Sequence, residues 1–187
     1  MPALFVDTGA FYAAADASDE HHEAAAASFA ARGRAGDLLT SDYVFVETWM
    51  LLRARLGRDA AIRWWDAMRT GVVRTFGVTS LDLARAREIA RDWADQDFSL
   101  VDCASFALME RLGIAEAFAF DSHFRVFRFG PARRCVFRRC RTPIPGEAEQ
   151  PFRAITITRS EATLGSVNCL DSFPWSRALR ACASSRR

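Results

Sequence analysis

Two short apolar runs in this chain each end on an aspartate: LFVD closes on Asp7 and AEAFAFD closes on Asp121. An apolar run that stops abruptly at a polar residue is the pattern of a strand buried on both faces of a parallel sheet. The second run follows a helical stretch, DFSLVDCASFALMERLG, so that helix and strand form one unit with an acid near each end. If the two strands are neighbours, about 4.8 Å apart, both carboxylates enter the crevice at the carboxyl edge of the sheet, where open α/β folds bind ligands. Two anions ~4 Å apart repel by ~1 kcal/mol in water and by ~4 kcal/mol at an effective dielectric of about 20. A partly desolvated pair therefore protonates or holds a cation, and a hard divalent cation is the simplest answer.

Composition narrows the rest. With 187 residues, 50% of them apolar, the chain is long enough for one domain with a real core. All 25 basic residues are arginine, a choice that suits phosphate contacts and equally reflects genomic base composition. Residues 1–140 carry 18 Arg against 19 acids and residues 141–187 carry 7 against 4, so the basic excess belongs to the tail. Five unevenly spaced cysteines and the lack of a leader-like N-terminus argue for a reducing, cytoplasmic setting. No apolar stretch approaches the ~18 residues of a membrane span.

The pattern predicts a first strand at 3–6, a short helix through Phe11 and Tyr12, and a second helix capped by Asp19 and fading near 32–36. His21 and His22, adjacent at that helix start, do not face one point and are not read as a metal pair. Leu38 and Leu39 begin a second strand, and Thr40, Ser41 or Asp42 caps the helix DYVFVETWMLLRARLG, which ends at Gly57. Val44, Thr48, Leu51 and Leu52 form its apolar stripe, and Glu47 lies on or beside it. Its local neighbours Tyr43, Val44, Met50 and Leu51 offer no basic partner, which favours a ligand or catalytic acid over a bystander.

In the helix at 59–70, Ile62, Trp65 and Ala61 or Met68 are expected to point inward, with Trp64 on another flank. A strand is expected over VVRTFGVT, then a helix capped by Thr79 or Ser80 with Leu83, Ala86, Ala90 and Trp93 inward. Ser99 opens the central helix, where Ser99-x-x-Asp102 has capping-box spacing. Asp102 also shares a stripe with Ser105, Phe106 and Met109, which favours a functional acid; Cys103 is read as a small packed side chain. A strand at 115–120 leads into Asp121, and His123 either contacts a phosphate or decorates the turn. Residues 126–129 and 135–137 are expected to add an edge strand. TPIPGEAEQP reads as a linker, so 1–140 is taken as the domain and 141–187 as a poorly ordered tail; Cys135 and Cys140 lack the partners of a zinc site.

Asp7, Glu47, Asp102 and Asp121 thus form the candidate constellation, with Asp7, Asp102 and Asp121 as metal ligands and Glu47 positioning the ion's water or taking its proton. Oxygen donors of this kind suit Mg²⁺ or Mn²⁺, and such an ion can activate water and neutralise charge developing on a phosphodiester. Glycine-rich phosphate loops, serine elbows and dinucleotide fingerprints are missing, which sets aside nucleotide-triphosphate hydrolysis, acyl transfer and hydride transfer.

The motifs FVDTGAFYA (5–13), TSDYVFVETWMLL (40–52), DQDFSLVDCASFALMERLGI (95–114) and AFAFDSHF (117–124) resemble, in order, the acidic motifs of PIN-domain ribonucleases, in particular VapC-type toxins. The resemblance spans about residues 2–139. It implies a three-layer α/β/α domain with a central, mostly parallel sheet, RNA cleavage with Mg²⁺ or Mn²⁺, homodimerisation and inhibition by a cognate antitoxin protein. It places the acidic quartet on Asp7, Glu47, Asp102 and Asp121, an accessory acid on Asp97 and a small hydroxyl on Thr8; the residue pattern itself adds Ser99 and His123 as further accessory candidates. The tail after residue 140 departs from the family pattern. Two other readings remain at this point. One is a catalytically silent PIN-like scaffold that binds RNA or antitoxin. The other is a haloacid-dehalogenase-like phosphatase, which needs an acid where Gly9 stands.

Overall fold

The structure is a computed structural model that describes residues 3–33, 36–129, 135–136 and 138–139. The tail expected at 141–187 lies outside the described residues. The strands are β1 (Leu4–Val6), β2 (Leu38–Ser41), β3 (Val73–Phe76), β4 (Glu116–Phe118), β5 (Arg128–Phe129), β6 (Cys135–Val136) and β7 (Arg138–Arg139). The helices are α1 (Thr8–Ala15), α2 (His22–Arg32), α3 (Asp42–Arg55), α4 (Arg58–Met68), α5 (Ser80–Asp92), α6 (Leu100–Leu112) and α7 (His123–Val126).

One sheet runs β3-β2-β1-β4-β7, and every neighbouring pair in it is parallel. Leu4, Phe5 and Val6 of β1 have no exposed surface, so helices cover both faces of the sheet, as an all-parallel sheet requires, and the domain is a three-layer α/β/α fold, as expected. From β1 the chain steps to β2 and β3 on one side, then crosses back to place β4 on the other side of β1. The strand order therefore reverses between β1 and β4, and the crevice at such a reversal is where open sheets bind ligands. Register completes the placement: Val6 pairs with Phe118, and the Asp7 amide donates to the Phe118 carbonyl at 3.1 Å.

Several boundaries differ from those expected. Asp19 caps a turn ahead of α2, accepting from the His21 amide at 2.8 Å, and the helix starts only at His22. Strand β4 is three residues long and ends at Phe118, which pairs with the last residue of β1; two residues on, Phe120 stacks on His21, with ring centres 4.3 Å apart and planes 7° from parallel. The edge strand of the main sheet is β7, at 138–139. The segment expected at 126–129 instead divides between the end of α7 and β5, which pairs antiparallel with β6 in a separate ladder.

Two inward faces are also turned. In α4, Ala60, Ala61, Trp64 and Met68 are buried while Trp65 is 46% exposed, the reverse of the expected assignment. Both tryptophans have helical spacing to other apolar residues. Trp64 goes inside because α1 and α3 meet α4 there, and Phe11 and Phe45 pack against its ring at 5.6 and 4.7 Å. In α5 the buried face is Asp82, Ala86 and Ile89, whereas Leu83 and Ala90 are exposed. Arg111 on α6 draws Asp82 inward with a 2.7 Å ion pair, and Arg85 meets Glu110 at 2.8 Å, so charge pairing sets how α5 lies on α6.

Replacing Trp64 with alanine should destabilise the protein by about 3–5 kcal/mol, the usual cost of a truncated core aromatic. Trp65→Ala, at a half-exposed position, should cost less than about 1 kcal/mol. Urea unfolding of the two variants checks this, and comparable losses would contradict the observed orientation of α4.

Candidate active site

Asp7 follows the last residue of β1 and is the N-cap of α1. Its Oδ2 accepts from the Gly9 amide at 3.3 Å, so the carboxylate is held by the turn that starts the helix and points along the edge of the sheet. Aspartate suits an N-cap, and the positive end of the α1 dipole partly offsets its charge. That offset falls short: Asp7 is 6% exposed, and burial raises its carboxyl well above the ordinary carboxylate range, with the charges of Asp121 and then Asp102 adding to the effect.

Glu47 comes from the second turn of α3. Thr8, the first residue of α1, donates its hydroxyl to Glu47 Oε2 at 2.5 Å, tying α3 to the end of β1. Desolvation raises the Glu47 carboxyl, the Thr8 hydrogen bond opposes that rise, and the charges of Asp102 and Asp121 reinforce it. A carboxylate with a raised pKa is a better proton acceptor near neutral pH.

Asp102 serves two roles. It closes a capping box with Ser99, accepting from the Ser99 amide at 2.8 Å while Ser99 Oγ accepts from the Asp102 amide at 3.0 Å. The capping box expected from the sequence forms, and the same side chain also lies beside Asp121 and His123. Its Oδ2 also lies 3.1 Å from His123 Nδ1. Asp121 sits in the turn after β4, accepts from the His123 amide at 2.9 Å, and has its carboxyl raised by burial and then by Asp102, with His123 acting in the opposite sense.

The four predicted acids therefore share one electrostatic neighbourhood although they come from four separate parts of the chain. Among the described residues, none of them forms an ion pair with an arginine, and His123 is the one basic partner. Donor atoms of Asp102, Asp121 and His123 lie within 4.8 Å of one another, close enough to hold one metal ion. Asp7 lies outside that tightest trio and is joined to it through charge. Of the accessory candidates, Thr8 positions Glu47, Ser99 caps α6 and His123 enters the cluster. Asp97 is exposed ahead of α6, and the charges that weigh most on the buried acids are those of Asp102 and Asp121. The donor set, buried carboxylates whose mutual repulsion opposes ionisation, fits a hard divalent cation.

Sequence reasoning missed one feature of the rim. His21 stacks on Phe120, the residue before Asp121, and His22 Nδ1 meets the Ala13 carbonyl at 2.8 Å, so neighbouring histidines brace two different elements. No local pattern signals this, because both partners are distant in sequence. Cys103 is buried as expected; burial and then Asp102 push its thiol up to about 11.

A family model described as the PIN domain matches residues 4–130. The 23S rRNA-specific endonuclease VapC20 from two strains of Mycobacterium tuberculosis is 35% identical over 134 residues, covering 70% of this chain and 98% of the relative. The crystal structure of Mycobacterium tuberculosis VapC20, titled a sarcin-ricin loop cleaving toxin, aligns with a TM-score of 0.59 at 34% identity. It covers 64% of this chain and 91% of that chain.

The raised carboxyls set a pH dependence. Asp7, Glu47 and Asp121 bind protons more tightly folded than unfolded, so their contribution to stability is full below the ordinary carboxylate pKa of about 4 and is lost as pH rises through the raised values. Asn at position 7 keeps an acceptor for the Gly9 amide but has no charge to bury. Without divalent cations, Asp7→Asn should melt several degrees above the parent protein at pH 8, and the gap should close near pH 4. A parent protein as stable as the variant at pH 8 would show that Asp7 is not held against repulsion.

Proposed function

This chain belongs to the PIN-domain family, and from that premise we propose that it is a metal-dependent endoribonuclease and the toxin of a toxin–antitoxin pair. The observation that carries the reading is the meeting of Asp7, Glu47, Asp102 and Asp121 at the β1/β4 reversal with no arginine pair among the described residues. Asp82, the buried acid of the other capping box, is paired with Arg111; among the described residues these four have no arginine.

Asp7, Asp102 and Asp121 would hold Mg²⁺ or Mn²⁺. The chemistry supplied there would be polarisation of a phosphoryl oxygen and activation of water as a nucleophile at neutral pH. The chain's own groups do the rest. The N-cap of α1 and the capping box of α6 hold Asp7 and Asp102 before substrate arrives, which removes the cost of organising them during the reaction. Thr8 fixes one oxygen of Glu47, and the raised Glu47 carboxyl takes the proton of the attacking water. Asp121 is held by the amide of His123 at the turn after β4.

The substrate class follows from the relatives' names: an RNA loop of the kind found in 23S ribosomal RNA is the first to test. A cognate antitoxin protein, a homodimeric state and a cytoplasmic setting belong to the same proposal. No helix among the described residues is long and apolar enough to cross a membrane. The domain division at residue 140 is also part of this reading, and β7 at 138–139 still pairs with β4 in the main sheet.

Purified protein incubated with 23S rRNA and Mg²⁺ or Mn²⁺ should cut the RNA, and EDTA should stop it. Asp7→Asn and Asp102→Asn should each lower the cleavage rate by at least about a hundredfold, the scale of losing a preorganised electrostatic element. RNA binding without cleavage would replace the enzyme with a scaffold, and phosphate release from small monoesters would replace it with a phosphatase. A chain ending at residue 140 should still unfold cooperatively with heat; loss of that transition would overturn the domain division.

A further inference from the structure

His123 is placed by the same turn that places Asp121. Its amide donates to Asp121 Oδ1 at 2.9 Å, and its ring meets the edge of Phe98 with centres 5.3 Å apart. Nδ1 stands 3.1 Å from Asp102 Oδ2, and a donor atom of each of the three residues lies within 4.8 Å of the other two. Around a six-coordinate ion with ligands at about 2.1 Å, adjacent ligand atoms are about 3 Å apart, so the imidazole and the carboxylate already stand at the spacing of neighbouring ligands. The ring is one-third exposed, open to an arriving ion. The other two histidines are engaged elsewhere, on Phe120 and on the Ala13 carbonyl.

We propose that His123 supplies a nitrogen ligand to the divalent cation of this site, and that the site therefore favours Mn²⁺ over Mg²⁺. The inference rests on the metal-dependent reading above and adds the ion's identity to it. Mg²⁺ is bound through oxygen and gives up water reluctantly, whereas Mn²⁺, a first-row ion that shares the same oxygen ligands, exchanges a water for imidazole nitrogen more readily. With its proton on Nε2, the ring presents the Nδ1 lone pair to the space that Asp102 and Asp121 border. The rival role is orientation: His123 keeps its proton on Nδ1, donates to Asp102 and never touches the ion, as outer partners of metal ligands commonly do.

The two roles separate in the full-length protein without RNA. Pulsed electron paramagnetic resonance of the Mn²⁺-loaded protein should show hyperfine coupling to an imidazole nitrogen, and His123→Ala should abolish it. In calorimetric titrations, His123→Ala should weaken Mn²⁺ binding roughly tenfold or more while changing Mg²⁺ binding much less. Mn²⁺ bound without nitrogen coupling, or equal weakening of both ions, would overturn the ligand role and leave the nuclease reading standing. If neither ion binds, or if Asp102→Asn leaves binding unchanged, the metal-dependent reading fails and this inference fails with it. The spectrum of the unaltered protein keeps the test decisive even if the variant folds poorly.

Discussion

The structure depends on one electrostatic constraint: a carboxylate at the end of the most buried strand, with other carboxylates close enough to raise its pKa. Asp7 cannot move away, because Val6 pairs with Phe118 of β4, its carbonyl accepts from the Thr40 hydroxyl of β2, and the residue after Asp7 begins a helix. Burial and repulsion together oppose ionisation here, so carrying charge at this position costs folding free energy. Stability and the proposed function therefore pull in opposite directions at this position, as is common where a site is preorganised for charge.

Two capping boxes show how similar local chemistry reaches different ends. Thr79 and Asp82 open α5 as Ser99 and Asp102 open α6, with reciprocal bonds in both. Asp82 meets Arg111, and although burial works against it, the Arg111 and Thr79 bonds leave its carboxyl below the ordinary value. Asp102 meets no arginine among the described residues; it faces Asp121 and His123. One box is structural and the other sits at the centre of the proposed site. The difference lies in what the neighbouring elements bring, not in the box.

The apolar side chains divide in the same manner. Phe106 is fully buried, stacked on Phe127 with centres 4.3 Å apart and met edge-on by Phe98 and Phe124, which seats α6 firmly beneath Asp102. Position along α6 was legible because the helix is buried almost all round from Asp102 to Met109, so a small error in phase had no consequence. Helices α4 and α5 bury only one narrow face, and there an offset of one residue exchanged Trp64 for Trp65 and put Leu83 outside.

From the sequence alone came the parallel sheet, the order of most elements, helix starts within 40–42, at 79–80 and at Ser99, and the four acids. Each of these rests on chemistry within a few residues: apolar runs, caps, and a carboxylate lacking a local partner. Only tertiary structure decided which strands are neighbours, that the order reverses between β1 and β4, that Thr8 reaches Glu47, and that His123 joins Asp102. Those facts depend on contacts between residues tens of positions apart, and a distance in space between such residues has no trace in local spacing. The sequence determined which groups carry charge, and the packing of the sheet determined that they must carry it together.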